Sequence, residues 1–365
     1  MDQKKRLLGI DLCRGIAAYA VILVHSGDET WGVPIDQSAI SFRLLFYFAV
    51  PFFLAASFYF MTRKPNIASS PDFWKSKFQR IIIPYLIWSG IYLILRIIFF
   101  SKSNQPDRLN QLFQDPLSIA FCGGASFHLY FLPLLLAGST LILAASYFSD
   151  SRFKTMMLVF FCLVSIAIHE LLMVSGNGFK LGSSIAFQGV LDMLSLNVDA
   201  YPPIKLLLVY TYWILLCLPY FFAAITLNRF FSKRGLSLLS FRAVIPILVI
   251  FLIADIFGSR FLPGTMKDLI IAYSLLLLGI CISQRIDENN RIIWNLGMCS
   301  FGIYLIHPIL MNFTKLFIAR VDLGLMKQVT ISSMLILSLT SFFLSWITVS
   351  LMLKSKWLAK YALGV

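Results

Sequence analysis

Residues 8–26 read LGIDLCRGIAAYAVILVHS. The run is apolar enough to cross lipid as a helix, yet it carries Asp11, Arg14 and His25. Ionisable side chains are costly in hydrocarbon, so those kept inside a spanning segment mark a functional path by default. The short basic start (Lys4, Lys5, Arg6) resembles the head of a signal peptide. Asp11 and Arg14 interrupt the apolar stretch, however, and no small-residue cleavage site follows. The segment therefore reads as a retained first span.

The rest of the chain has the same character. Of its 365 residues, 59% are hydrophobic and 13% charged, with a mean hydropathy of +0.81. Soluble domains run at about 45–50% apolar and ~25% charged. A soluble protein of this composition could not cover its apolar surface, so lipid must be the main solvent. A hydrocarbon core of ~30 Å takes about 20 apolar residues as a helix. On that measure ten spans are predicted, at roughly 8–26, 41–61, 80–100, 127–148, 155–175, 205–228, 241–258, 267–284, 292–314 and 330–353. The fold class is thus an all-α polytopic membrane protein, read as a single domain over 1–365 with no internal repeat of transporter-like length.

Loop charge is an independent check. With the N-terminus placed in the cytoplasm, 19 of the 31 Lys and Arg fall on that side and 10 on the other, while Arg14 and Arg96 lie within spans. The positive-inside rule therefore favours ten spans with both termini cytoplasmic. It also accounts for the net charge of +14: the cations flank apolar spans, where they face lipid head groups. No Lys/Arg run carries interleaved aromatics, so nucleic acid is not a partner. The six cysteines (Cys13, Cys122, Cys162, Cys217, Cys281 and Cys299) form no close pairs. They indicate neither a disulfide framework nor a metal site, and nothing points to a redox cofactor. Two outer loops, about 101–126 and 176–204, are rich in Gly, Ser, Asn, Asp and Pro and could meet a polar substrate.

Asp11 and Arg14 are three apart, which suits an ion pair on one helix face. At about 100° and ~1.5 Å per residue, the eleven steps from Arg14 to His25 bring them within about 20° in angle and ~16 Å along the axis. One stripe thus bears a carboxylate and a guanidinium at its cytoplasmic end and an imidazole further out. Such a stripe suits an elongated substrate; the alternative is an interfacial His and an anchoring Arg. His307, on a predicted helix of the same direction, lies at a depth close to that of His25. His128 begins the fourth span, where it could hydrogen-bond at the interface or meet an acceptor. Glu170 with His169, near the outer end of the fifth span, could do the same. Asp255 lies inside the seventh span and requires a partner.

These residues resemble a known family. The segment IDLCRGIAAYAVILVH, 10–25, is similar to the opening signature of the acyltransferase family 3 membrane enzymes, with an Arg and a His separated by ten residues. Val50-Pro51-Phe52-Phe53-Leu54-Ala55-Ala56-Ser57-Phe58-Tyr59-Phe60 resembles the family's second-span pattern, with Phe58 where Gly is usual. Lys77, Arg80, Pro84, Tyr85 and Trp88 fit the entry to the third span. His128-Leu129-Tyr130-Phe131-Leu132 resembles the start of the fourth, with Tyr130 in place of Trp, and Phe301-Gly302-Ile303-Tyr304-Leu305-Ile306-His307-Pro308 resembles the ninth. The resemblance covers nearly the whole chain.

It implies about ten membrane helices and the transfer of an acyl group, usually acetyl, from cytoplasmic acyl-CoA to an extracytoplasmic glycan in a bacterial inner membrane. His25 is then the essential group, as general base or as acyl carrier. Asp11 would hold Arg14. Arg14, Lys77 and Arg80 are placed to pair with the donor's phosphates. His307, His128, Ser57 and Tyr304 are candidate substrate contacts. The expected partners are acyl-CoA, the glycan acceptor and the bilayer, with a homo-oligomer possible. Two other functions are compatible with buried charge: a glycan transporter or exporter, and a non-catalytic member of a glycan-synthesis complex. Against transport stands the absence of paired broken half-helices and of an inverted repeat.

Overall fold

Backbone N–H and C=O groups in lipid must be satisfied within the protein, and a helix does this segment by segment. In the computed structural model of the chain, the regular structure of the described residues is accordingly helical. The one bridge among them is an isolated parallel pairing of Ile35 with Val329. The structure describes residues 6–63, 70–103, 106–113, 115–149, 155–175, 193, 201–234, 240–321 and 328–365.

In chain order the elements are α1 (Leu8–Val24), α2 (Asp28–Trp31), α3 (Gln37–Leu44), α4 (Ala49–Thr62), α5 (Pro71–Lys77), a π turn (Phe78–Ile82) and α6 (Ile83–Lys102). After them come α7 (Pro106–Leu112), α8 (Pro116–Phe121), α9 (Phe131–Ser139), a 3-10 turn (Thr140–Ala144), α10 (Ala145–Ser149) and α11 (Thr155–Ser175). The chain continues through α12 (Pro202–Arg234), α13 (Val244–Phe261), α14 (Gly264–Ile282), α15 (Arg291–Val321) and α16 (Ile331–Met352).

Among the described residues, 9 helical stretches are long and apolar enough to cross a membrane. They match the second to tenth predicted spans one for one, and α1, of 17 residues, lies where the first was predicted but is too short to be counted among the nine. The protein is an all-α, multi-pass membrane protein. Two stretches begin earlier than hydropathy indicates, at Gln37 and Pro71. Their first turns are polar and are set by caps rather than by apolar content. The Asp36 carboxylate accepts the Ser38 N–H, and Pro71 occupies the opening turn of α5, where its missing N–H costs nothing. The 101–126 segment contains two short helices, α7 and α8, the second capped by Asp115, whose carboxylate accepts from Ser118 N at 2.9 Å. Apart from 193 and 201–204, the loop at 176–204 lies outside the described residues.

The chain forms two compact units, one of Met1–Ser57 with Arg234–Ala359, the other of Phe58–Lys233 with Lys360–Val365. In the first, α1 packs against α14, α15 and α16. Its buried face is built from small residues (Gly9, Cys13, Gly15, Ala17, Ala18 and Ala20), and in lipid such residues let helix backbones approach closely. A Cβ on Gly9 would collide with the Gly279 carbonyl oxygen of α14, and Gly9 N donates to Ser283 Oγ at 2.8 Å.

In the second unit, Phe58 is fully buried against Phe221. Gly138 of α9 abuts Cys217 of α12 and the tip of the Phe58 ring: a Cβ there would lie 2.5 Å from Cys217 Sγ and 3.1 Å from the ring. The segment 361–364 docks on the start of α6. Trp88 Nε1 donates to Ala362 O at 2.8 Å in a buried bond, and Gly364, at φ +64, has no room for a side chain over the Arg80 carbonyl. Trp88→Phe leaves that carbonyl without its indole donor, which costs about 1–3 kcal/mol. A lower midpoint of thermal unfolding in detergent is the expected result. An unchanged midpoint would show that docking of the segment does not depend on this bond.

Candidate functional site

Polar side chains gather at both ends of α1. At the N-terminal end the Asp11 carboxylate accepts from Arg6 Nε at 2.5 Å, and Arg14 Nη1 lies 3.7 Å from its other oxygen. The Asp11–Arg14 pairing follows from the i, i+3 spacing. The closer partner, Arg6, was not legible. It precedes the helix, where sequence treats it as one of several basic residues at the chain start. The Arg6 guanidinium also lies over the Trp294 ring, 5.3 Å from its centroid. Gly297 of α15 permits this arrangement, because a Cβ there would overlap the Asp11 carboxylate.

Exposure differs among the three. The Asp11 side chain is 7% exposed, against 35% for Arg14 and 37% for Arg6. Two guanidinium groups share one buried carboxylate, so the cluster keeps a net positive charge, and both guanidinium groups remain partly open. Such a group can bind an anion, since charge-assisted pairs with phosphate are among the stronger hydrogen bonds.

At the other end α1 stops at Val24, and His25 is its C-cap. Thr30 Oγ1 donates to His25 O at 2.6 Å, and Trp31 Nε1 donates to Ser26 O at 3.0 Å. These bonds pin the turn that follows α1 and take two of the carbonyls that a helix end leaves over. His25 and His307 stack at 5.8 Å between ring centroids, with planes 23° apart. Tyr304 lies 6.1 Å from the His307 ring and stacks on Phe301. The sequence placed His25 and His307 at similar depth and no more; the packing of α1 on α15 makes them a pair. Arg43 of α3 is near enough to His25 for the charges to interact, and nothing in its sequence surroundings singled it out. Ser57, on α4, is half-buried. Asp255 of α13 is near enough to Lys267 on α14 for the charges to interact, while Lys267 Nζ donates to Ser259 Oγ at 2.9 Å.

The second unit holds the remaining candidates. Lys77 and Arg80 line a cavity of about 230 Å³ together with Phe60, Met61, Phe73 and Ser76. The π turn between α5 and α6 carries Arg80, and π bulges recur at functional sites because the widened turn re-aims side chains. Lys77 Nζ lies over the Phe73 ring at 5.5 Å. His128 is buried elsewhere in this unit, with Nδ1 3.1 Å from Ser126 Oγ and its ring edge-on to Tyr92 at 5.1 Å. Tyr85 braces the adjoining loop: its hydroxyl accepts from Gly123 N at 2.9 Å and donates to Ile119 O at 3.1 Å.

The class these features define is a multi-pass helical membrane protein whose first helix carries a guanidinium–carboxylate cluster at one end and, at the other, His25 stacked on His307 of α15. Residues 7–350 match the acyltransferase family 3 model, an acyltransferase domain, and the chain belongs to that family. It is a membrane acyltransferase. No curated protein and no solved structure matches it.

Proposed function

We propose that the protein moves an acyl group, acetyl in the first instance, from cytoplasmic acyl-CoA to a hydroxyl of an extracytoplasmic polysaccharide or lipid-linked glycan. Its place is the inner membrane of a bacterium, with both termini in the cytoplasm. The observation that carries this reading is the separation of groups along α1. Arg14, Arg6 and Asp11 form an anion-binding cluster at one end, and His25 meets His307 at the other. Eleven helical steps span ~16 Å, so a donor held by its phosphates at the Arg14 end has its reactive end directed towards His25.

Each residue has a part in this scheme. Arg14 binds donor phosphate, and Asp11 orients it. Lys77 and Arg80, in the second unit, are further candidates for pairing with phosphate, and their cavity of about 230 Å³ is below the ~300 Å³ at which pockets begin to enclose drug-sized ligands. It suits a diphosphate rather than a whole coenzyme. His25 is the acyl carrier or the base, and an imidazole suits both parts because its lone pair is available near neutral pH. Tyr304 and Ser57 contact the acceptor or the acyl chain, and His128, in the second unit, is a separate candidate for a polar contact.

Arg14→Ala removes a charged pairing of about 1.5–3 kcal/mol. The dissociation constant for acetyl-CoA, measured calorimetrically on protein in lipid nanodiscs, should rise roughly 10- to 150-fold. Unchanged affinity would exclude Arg14 from donor binding. Reaction and acceptor are tested together by mass spectrometry of envelope glycans from cells with and without the protein. An acyl mass increment on a sugar, present only with the protein, is the expected result; identical glycans would refute the reading.

A further inference from the structure

Pro308 lies within α15. A proline has no N–H, so the carbonyl four residues earlier loses its helical donor. That carbonyl belongs to Tyr304, and His307 Nδ1 lies 2.7 Å from it. A carbonyl oxygen can only accept, so Nδ1 carries the proton, and in the neutral ring the lone pair belongs to Nε2. The order Tyr304, His307, Pro308 therefore fixes a tautomer: proline frees the acceptor, and the preceding histidine takes it. The His307 side chain is fully buried, and its ring lies 5.8 Å from that of His25.

We infer that His307 is a second catalytic residue, the base that takes the acceptor hydroxyl's proton while His25 carries the acyl group. This rests on the acyl-transfer reading above and divides between two imidazoles the roles it leaves open for one. In the first step the lone-pair nitrogen of neutral His25 attacks the thioester carbon. A C–N bond forms, the C–S bond breaks with its electron pair going to sulfur, and the second ring proton of His25 passes to the thiolate. The products are acyl-His25 and the free thiol of CoA. In the second step the acceptor oxygen attacks the acyl carbon as Nε2 of His307 takes the hydroxyl proton. A C–O bond forms, the C–N bond breaks with its pair returning to His25, and His307 passes the proton to that nitrogen. Both rings end neutral, as they began. The 5.8 Å separation of the rings makes this return path short.

The two steps can be measured separately. The purified protein in lipid nanodiscs is mixed with acetyl-CoA without acceptor, and free thiol is followed with a colorimetric thiol reagent; envelope acylation is measured by mass spectrometry in cells. Wild type should release about one thiol per protein in a burst. His307→Gln should keep the burst and lose at least about 100-fold in envelope acylation. His25→Ala should lose both. Acylation near wild type in His307→Gln would overturn the proposal. So would loss of its burst in protein with the wild-type unfolding midpoint, or absence of a burst in wild type.

Should His307→Gln fail to fold, Pro308→Ala is the second variant. It returns a backbone N–H to the Tyr304 carbonyl and releases Nδ1. Acylation should then slow at least about tenfold with the burst intact, because a base in the wrong tautomer can lose far more than that. An unchanged rate would overturn the tautomer argument. Envelope glycans identical in cells with and without the protein would instead refute the acyl-transfer reading itself, so the two failures are distinguishable.

Discussion

Replacing His25 with alanine should lower acylation of envelope glycan by about 10³-fold or more, the upper part of the range for a positioned acid–base group. The effect is larger than for any phosphate-binding residue. Binding residues share their task, whereas an imidazole at the end of α1 has no chemical equivalent in alanine. Stability should change little by comparison. His25 is the C-cap, and the turn after it is held through its backbone carbonyl by Thr30 and through Ser26 O by Trp31, contacts that survive truncation of the ring. The measurement is acyl content per glycan repeat in cells expressing equal amounts of membrane-inserted protein. Normal acylation at equal expression would end the case for His25 chemistry.

Gly297→Ala should affect both folding and donor binding. The added Cβ falls on the Asp11 carboxylate, which is buried between Arg6 and Arg14. Either α15 moves away from α1 or the carboxylate turns out of its ion pairs. Overpacking of this kind costs about 1–3 kcal/mol, and separating a buried carboxylate from its cations adds to it. The expected result is a lower unfolding midpoint in detergent together with acetyl-CoA binding weakened at least about tenfold, the equivalent of 1.4 kcal/mol. Gly90→Ala is the control. Gly90 also lies in a spanning helix, but a Cβ there meets nothing within 4 Å, so both quantities should stay at wild-type values. If Gly297→Ala matches the control, the close contact of α15 with Asp11 is not what holds the cluster.

The spans were legible because the signal for a membrane helix is local. About 20 apolar residues in a row suffice to cross hydrocarbon, and no knowledge of neighbours is required. The errors are local as well: the early starts at Gln37 and Pro71 lie in polar turns that hydropathy leaves out and capping decides. The Asp11–Arg14 pair was legible for the same reason, since i, i+3 spacing is a property of one helix.

Other contacts had no such signal. Arg6 as the closest partner of Asp11, Gly297 as the residue that makes room for the carboxylate, and Gly138 against Cys217 each depend on which helix packs against which. A glycine in an apolar run looks the same whether it borders open space, as Gly90 does, or abuts a carboxylate, as Gly297 does. Arg43 beside His25 and Lys267 near Asp255 belong with them.

Sequence by itself determined that this chain is a bundle of membrane helices with a carboxylate, a guanidinium and an imidazole along its first span. Hydropathy and helical period act within one segment, so those features needed no tertiary information. Only the tertiary structure decided that His307 stacks on His25 and that its Nδ1 takes the carbonyl freed by Pro308. The first depends on α1 packing against α15. In the second, the spacing of Tyr304 and Pro308 frees the carbonyl, but the side-chain rotamer that brings Nδ1 to it is seen only in the folded chain.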